Sequence, residues 1–135
     1  EVPPERAPAM IDEYPILSSL AAFADGKTVM RGIGELRVKE SDRISTMVNG
    51  LNALGTHAEE LEDGMIVYGQ SGPAPARKNN QIESRGDHRV AMSFLVYGLG
   101  AQDTVKVKDC DMIETSFPNF INLMNDLGGK ILAGP

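Results

Sequence analysis

The sequence predicts an α/β fold in which a helix–strand–helix–strand unit is used twice. The apolar positions Ile44, Met47, Val48, Leu51 and Leu54, followed by Gly55, recur 73 residues later as Phe117, Phe120, Ile121, Met124 and Leu127, followed by Gly128. The spacing i, i+3, i+4, i+7, i+10 is one face of an amphipathic helix, and the glycine marks its C-terminal stop. Each of these helices is trailed by a short extended stretch, 58–61 and 130–132. The segments upstream also match, at a shift of about 75 that small differences in loop length account for.

Taken in order, Pro15 opens a helix through Ile16, Leu17, Leu20 and Phe23. Asp25-Gly26 turns the chain into a strand over 28–31. The helix carrying Ile44 follows, then the strand at 58–61, and a further strand at 65–68 closes the first unit. Residues 70–81, rich in Pro, Gly, Asn and basic side chains, read as an exposed connector. In the second unit Val90, Met92, Leu95, Val96 and Leu99 make the first helix and Gly100 ends it. Thr104-Val105-Lys106-Val107-Lys108 then alternates like a half-buried strand. The units run over about 12–69 and about 86–133. Neither has enough apolar surface of its own, so the two are expected to pack into one layered structure.

With 135 residues, 41% hydrophobic and 24% charged, the chain has the composition of one water-soluble domain. Trp is absent, so the core rests on aliphatic side chains. A net charge of −6 and few aromatics disfavour a nucleic-acid binder, even with Arg77, Lys78 and Arg85 available. The longest apolar run, 16–24, is far too short for a bilayer. The lone Cys110 forms no internal disulfide and fits a reducing compartment, the cytoplasm. No metal site is expected: His57 stands 31 residues before His88 without ligand spacing. The chain opens on Glu1-Val2-Pro3-Pro4, without Met, and reads as part of something longer.

Polar clusters precede the helices. In Glu35-Leu36-Arg37-Val38-Lys39-Glu40-Ser41-Asp42-Arg43, Ser41 is a candidate N-cap. That would set Lys39, Glu40 and Arg43 around a helix N-terminus, which favours anions. Arg43 is suited to forking onto a carboxylate or phosphate, and Glu40 to passing a proton. The same run also suits a plain solvated helix start laced with ion pairs. In Glu83-Ser84-Arg85-Gly86-Asp87-His88-Arg89, Asp87 is the candidate N-cap, and His88 is either an acid/base group or structural. Asp12 and Glu13 stand before the first helix, where capping is the simplest role. Convergence of Asp12, Glu40 and Arg89 is the expectation on which a site depends. Residue types and spacing alone point to a small-anion site in an α/β domain.

Arg37-Val38-Lys39-Glu40-Ser41-Asp42-Arg43 resembles the Arg-Val-Lys-Glu-Ser/Thr-Asp-Arg signature of enolpyruvylshikimate-phosphate synthases. Asp87-His88-Arg89-Val90-Ala91-Met92 resembles their Asp-His-Arg-x-Ala-Met motif, and Ile11-Asp12-Glu13-Tyr14-Pro15 and Thr115-Ser116-Phe117-Pro118 match in the same order. The wording of these last two is most similar to the bacterial branch with glyphosate-tolerant members. The resemblance covers nearly the whole chain. It implies the enolpyruvyl transferase fold, with residues 1–135 supplying about two of the three units of its C-terminal domain.

It also implies roles. Asp12 would bind the shikimate substrate and take the proton from its attacking hydroxyl, and Lys39 would contact the substrates. Glu40 would protonate and later deprotonate the methylene carbon of phosphoenolpyruvate. Arg43 and Arg89 would hold its carboxylate and phosphate, with His88 in support. No cofactor is implied. Some relatives carry Lys before Thr-Phe-Pro, where this chain has Thr115, so that role is not carried over; Thr115 and Ser116 read as caps of the last helix. The implied partners are phosphoenolpyruvate, shikimate 3-phosphate and an N-terminal part of the enzyme that supplies the other wall of the site. This chain alone is then expected to be inactive. The alternatives are a folded, non-catalytic piece with weak anion binding, and a transferase acting on UDP-N-acetylglucosamine.

Overall fold

A computed structural model describes residues 1–77 and 81–134. After short helical turns at Pro4–Arg6, α1 (Ala7–Met10) and Ile11–Glu13, helix α2 spans Tyr14–Ala21 with Pro15 in its first turn. Strand β1 (Asp25–Met30) begins at Asp25, so the turn falls just before Asp25-Gly26 rather than on it. A 3-10 segment, Gly34–Val38, leads to α3 (Arg43–Leu54), which stops at Gly55 as its apolar spacing predicts. The hairpin β2 (Ala58–Leu61) and β3 (Gly64–Gln70) completes the first half. The second half holds β4 (Gln81–Glu83), α4 (His88–Gly100), β5 (Lys106–Lys108), α5 (Asp111–Ser116) and α6 (Phe120–Asp126).

Strands β1, β3 and β2 form an antiparallel sheet in that order, and β4 pairs β5 in parallel. The periodic face of α3 does what its spacing predicts: Ile44, Met47, Val48, Leu51 and Leu54 are all buried. They share one core with Met30, Met65 and Val67 from the sheet and with Phe94 and Tyr97 from α4. In α2 the expectation is partly reversed, since Ser18 and Ser19 are buried while Leu20 is exposed. This helix packs on α4, and Ser18 donates its hydroxyl to Pro15 O at 2.7 Å, a local bond that satisfies it in the interior.

Three expectations beyond the first half fail locally. The last helix does not run from Phe117 with Thr115 and Ser116 as caps. Those two residues end α5, Phe117 leaves helical geometry, Asn119 is left-handed and α6 starts at Phe120. Pro118 explains the break, because its ring disfavours helical geometry at the residue before it. The stretch 130–132 forms no strand; Ile131 instead exchanges two hydrogen bonds with the Asn125 amide. Asn52 does the same for Ala58 in the first half, at the same separation of six residues. The connector is also not simply exposed. Ala74 is buried, and the segment is fastened by Gln102 N to Ala74 O, Tyr97 Oη to Pro75 O and Arg77 N to Leu54 O. Lys78 and the two residues after it lie outside the described residues.

Candidate active site

The N-termini of α3 and α4 meet beside the turn that precedes α2. The cap of α3 is Asp42, whose Oδ1 accepts from Ser45 N; Ser41, the expected cap, turns away and donates its hydroxyl to Asp87. Asp87 caps α4 as predicted, accepting from the amides of Arg89 and Val90. Asp12 and Glu13 form no side-chain cap on α2 and point their carboxylates toward the two arginines instead.

Arg43 is the hub. Its side chain is 1% exposed. Nε donates to Asp87 Oδ2 at 2.8 Å and Nη2 to Asp87 Oδ1 at 3.1 Å, which closes a two-point fork on a carboxylate that is itself fully buried. Nη2 also reaches Glu40 Oε2 at 2.6 Å, and Nη1 reaches Asp12 Oδ1 at 3.2 Å. Glu40 in turn lies 3.6 Å from His88 Nδ1. Arg89 donates to Asp12 O at 3.4 Å and stands 3.6 Å from Glu13.

The expected convergence of Asp12, Glu40 and Arg89 is therefore present, gathered around Arg43 with His88 at the edge. Lys39 is the exception, since its ammonium goes to Glu35 at 3.6 Å. Arg43 does fork onto a carboxylate, but onto one of this chain's own. Asp87 read from the sequence only as a cap; no local spacing reveals that it also receives an arginine from 44 residues away.

The electrostatics follow from burial and pairing. Desolvation works against the charge on Arg43, but the Asp87 hydrogen bond, with the charges of Asp87, Glu40 and Asp12, outweighs it and holds the guanidinium above its ordinary range. For Asp87 burial pushes the carboxyl up, and the bonds from Arg43 and Ser41, the Arg43 charge and the Val90 amide together bring it below its ordinary range. Glu40, Asp87 and His88 each place one ligand-type atom within 4.8 Å of the others. A cation there would compete with Arg43 for both Asp87 oxygens, so the arrangement suits an arginine rather than a metal. Asp12 and Glu40, with side chains 43% and 53% exposed, form the open face of the cluster. That face offers two carboxylates able to exchange protons beside two arginines.

A family profile described as EPSP synthase (3-phosphoshikimate 1-carboxyvinyltransferase) matches residues 1–124. The chain belongs to the EPSP synthase family. The 3-phosphoshikimate 1-carboxyvinyltransferase of Phenylobacterium zucineum is 56% identical over 131 residues, which is 97% of this chain and 28% of that protein. That of Cereibacter sphaeroides is 57% identical over 134 residues, 99% of this chain and 29% of that protein. An EPSP synthase structure from Acinetobacter baumannii superposes on 98% of the chain with a TM-score of 0.92 and 40% identity, and a second on all of it with a TM-score of 0.90 and 36% identity. These cover 31% and 30% of the Acinetobacter chains. The chain thus spans under a third of the length of the EPSP synthases it matches. The α/β class agrees with these structures. No described helix is long and apolar enough to cross a membrane.

Proposed function

We propose that this chain supplies one wall of a site where the enolpyruvyl group of phosphoenolpyruvate passes to the 5-hydroxyl of shikimate 3-phosphate, with release of phosphate. The carrying observation is that Asp12 and Glu40 meet on Arg43, with His88 beside Glu40 and Arg89 beside Asp12, in a chain of this family. The relatives' names favour this acceptor over UDP-N-acetylglucosamine.

In this reading Glu40 gives a proton to the methylene carbon of phosphoenolpyruvate, building cationic character at the neighbouring carbon. The shikimate hydroxyl attacks that carbon and its proton passes to Asp12. Glu40 then takes a proton back from the new methyl group as the carbon–oxygen bond to phosphate breaks, regenerating the double bond and expelling phosphate. Each positioned group of this kind contributes about 10²–10⁴-fold. Arg43 and Arg89 hold the carboxylate and phosphate, His88 supports Glu40, and Lys39 turns from Glu35 to the substrates. For Arg43 to receive an anion, Glu40 or Asp12 must give up its contact, so binding would free a carboxylate for chemistry. The steps call for no cofactor. The natural setting is the cytoplasm, and the partner is the remainder of a longer enzyme. The 12–69 and 86–133 units are read as two repeats of its C-terminal domain, a reading that the matching Asn52 and Asn125 brackets support.

The test is phosphate release from the two substrates, with this chain alone and then mixed with the N-terminal remainder of the Cereibacter sphaeroides enzyme. Activity on mixing only is the expected result, and silence from both, with folded protein, would overturn the reading. In the active mixture Glu40→Gln should lower turnover far more than phosphoenolpyruvate binding.

A further inference from the structure

Lys39, Glu40 and Ser41 sit at a corner between the 3-10 segment and α3. Among the described residues, these three make no backbone-to-backbone hydrogen bond beyond those of the 3-10 segment itself. Side chains hold the corner instead, on one side through Glu40 to Arg43 and Ser41 to Asp87. Directly across it, Arg37 uses all three guanidinium nitrogens. Nε donates to Glu62 O at 2.8 Å, on the β2–β3 turn, and Nη2 to Leu61 O at 2.6 Å, at the end of β2. Nη1 lies 2.8 Å from Asp42 Oδ2 and 2.9 Å from Glu60 Oε2.

Asp42 divides its carboxylate, with one oxygen capping α3 and the other taking Arg37. The far side of the linkage is rigid. The β2–β3 turn belongs to the three-stranded sheet, and Asp63 ties it to the chain entering the 3-10 segment, through Ile33 N to Asp63 O at 2.8 Å and Gly32 N to Asp63 Oδ2 at 3.1 Å. The Asp42 hydrogen bond is the largest influence on the Arg37 guanidinium; burial opposes it, and the Glu60 bond with the charges of Asp42 and Glu60 brings the balance above the ordinary range.

We infer that Arg37 is a positioning residue: it locks the N-cap of α3 to the sheet and so fixes where Glu40 stands relative to Arg43 and His88. This rests on the transfer reaction proposed above. An exposed ion pair is worth little by itself. A planar fork that joins two carboxylates and two carbonyls from separate elements specifies geometry, and a lysine cannot reproduce it. Displacement of a reacting group by about 1 Å costs about 100-fold in rate.

The test uses full-length Cereibacter sphaeroides enzyme carrying this chain in place of its matching segment, with Arg37→Lys and Glu60→Gln compared against the unsubstituted protein. Arg37→Lys is expected to lower kcat per folded enzyme by about 10–100-fold while KM for both substrates stays within about threefold. In the 135-residue chain it should displace the amide NMR signals of Lys39, Glu40 and Ser41 and leave those of α4 in place. Glu60→Gln, which spares the Asp42 cap, should move both readouts the same way by a smaller amount, and it carries the test if Arg37→Lys does not fold. Turnover within about twofold of the unsubstituted protein, a loss confined to KM, or unmoved corner signals would overturn the inference. An inactive unsubstituted protein would overturn the proposed reaction instead.

Discussion

Arg43 and Asp87, 44 residues apart in sequence, meet through two hydrogen bonds of 2.8 and 3.1 Å with both side chains out of solvent. Removing Arg43 would strand Asp87, whereas the guanidinium also has Glu40 and Asp12 beside it. Arg43→Met therefore leaves a buried carboxylate without a counter-charge, at a cost of about 3 kcal/mol. Adding Asp87→Asn, which keeps the shape and most of the capping capacity, should recover part of that loss. Urea denaturation of the two single variants and the double variant measures the coupling.

Acid should weaken the fold through the same residue. Asp87 has a folded pKa below its unfolded value, so its contribution is complete above about pH 4 and drains away as the pH falls through the folded value. Melting temperatures taken from about pH 6 down to about pH 2 should fall steeply at the acid end, and the Asp87→Asn curve should fall less over the same window.

Gly64 faces the carbonyl of Met30 so closely that any Cβ would strike backbone. Gly64→Ala should therefore cost about 3 kcal/mol or more, since neither strand can give way without breaking the β1–β3 ladder. At Gly34 the nearest atom to an added Cβ is 3.8 Å away, and Gly34→Ala should stay within about 0.5 kcal/mol. Chemical denaturation of both variants separates a clash from a general glycine effect.

Asn52 and Asn125 give a paired comparison. Each alanine variant loses two hydrogen bonds to a backbone segment, worth about 1 kcal/mol apiece. Asn52 guards the outer edge of β2, so Asn52→Ala should lower global stability. Asn125→Ala should mainly speed hydrogen exchange at the Ile131 amide, because no strand pairing backs up that segment.

What the sequence reveals here depends on range. The buried face of α3 follows from a local period of 3.6, and the Asp87 cap from a local preference, so both are legible residue by residue. The Arg43–Asp87 fork is not, because a cap and a counter-ion look identical until the two helix starts are brought side by side. The α5–α6 break shows the opposite error: a sound period continued through Phe117, although Pro118 was there to forbid it. Ser41 and Asp42 are adjacent and equally good caps on paper, and the competing demand of Asp87 for a hydroxyl decides between them.

The fastened connector has a consequence for handling. Its residues 71–77 lie across the ends of α3 and α4, while the two halves are joined independently by the Arg43–Asp87 fork, the α2–α4 packing and the 2.8 Å bond between Thr56 and Tyr97. A protease nick there would cut the covalent thread without parting the pieces. The clipped protein would run as two bands on a denaturing gel and still elute from a sizing column as one, a ready-made pair of complementary peptides.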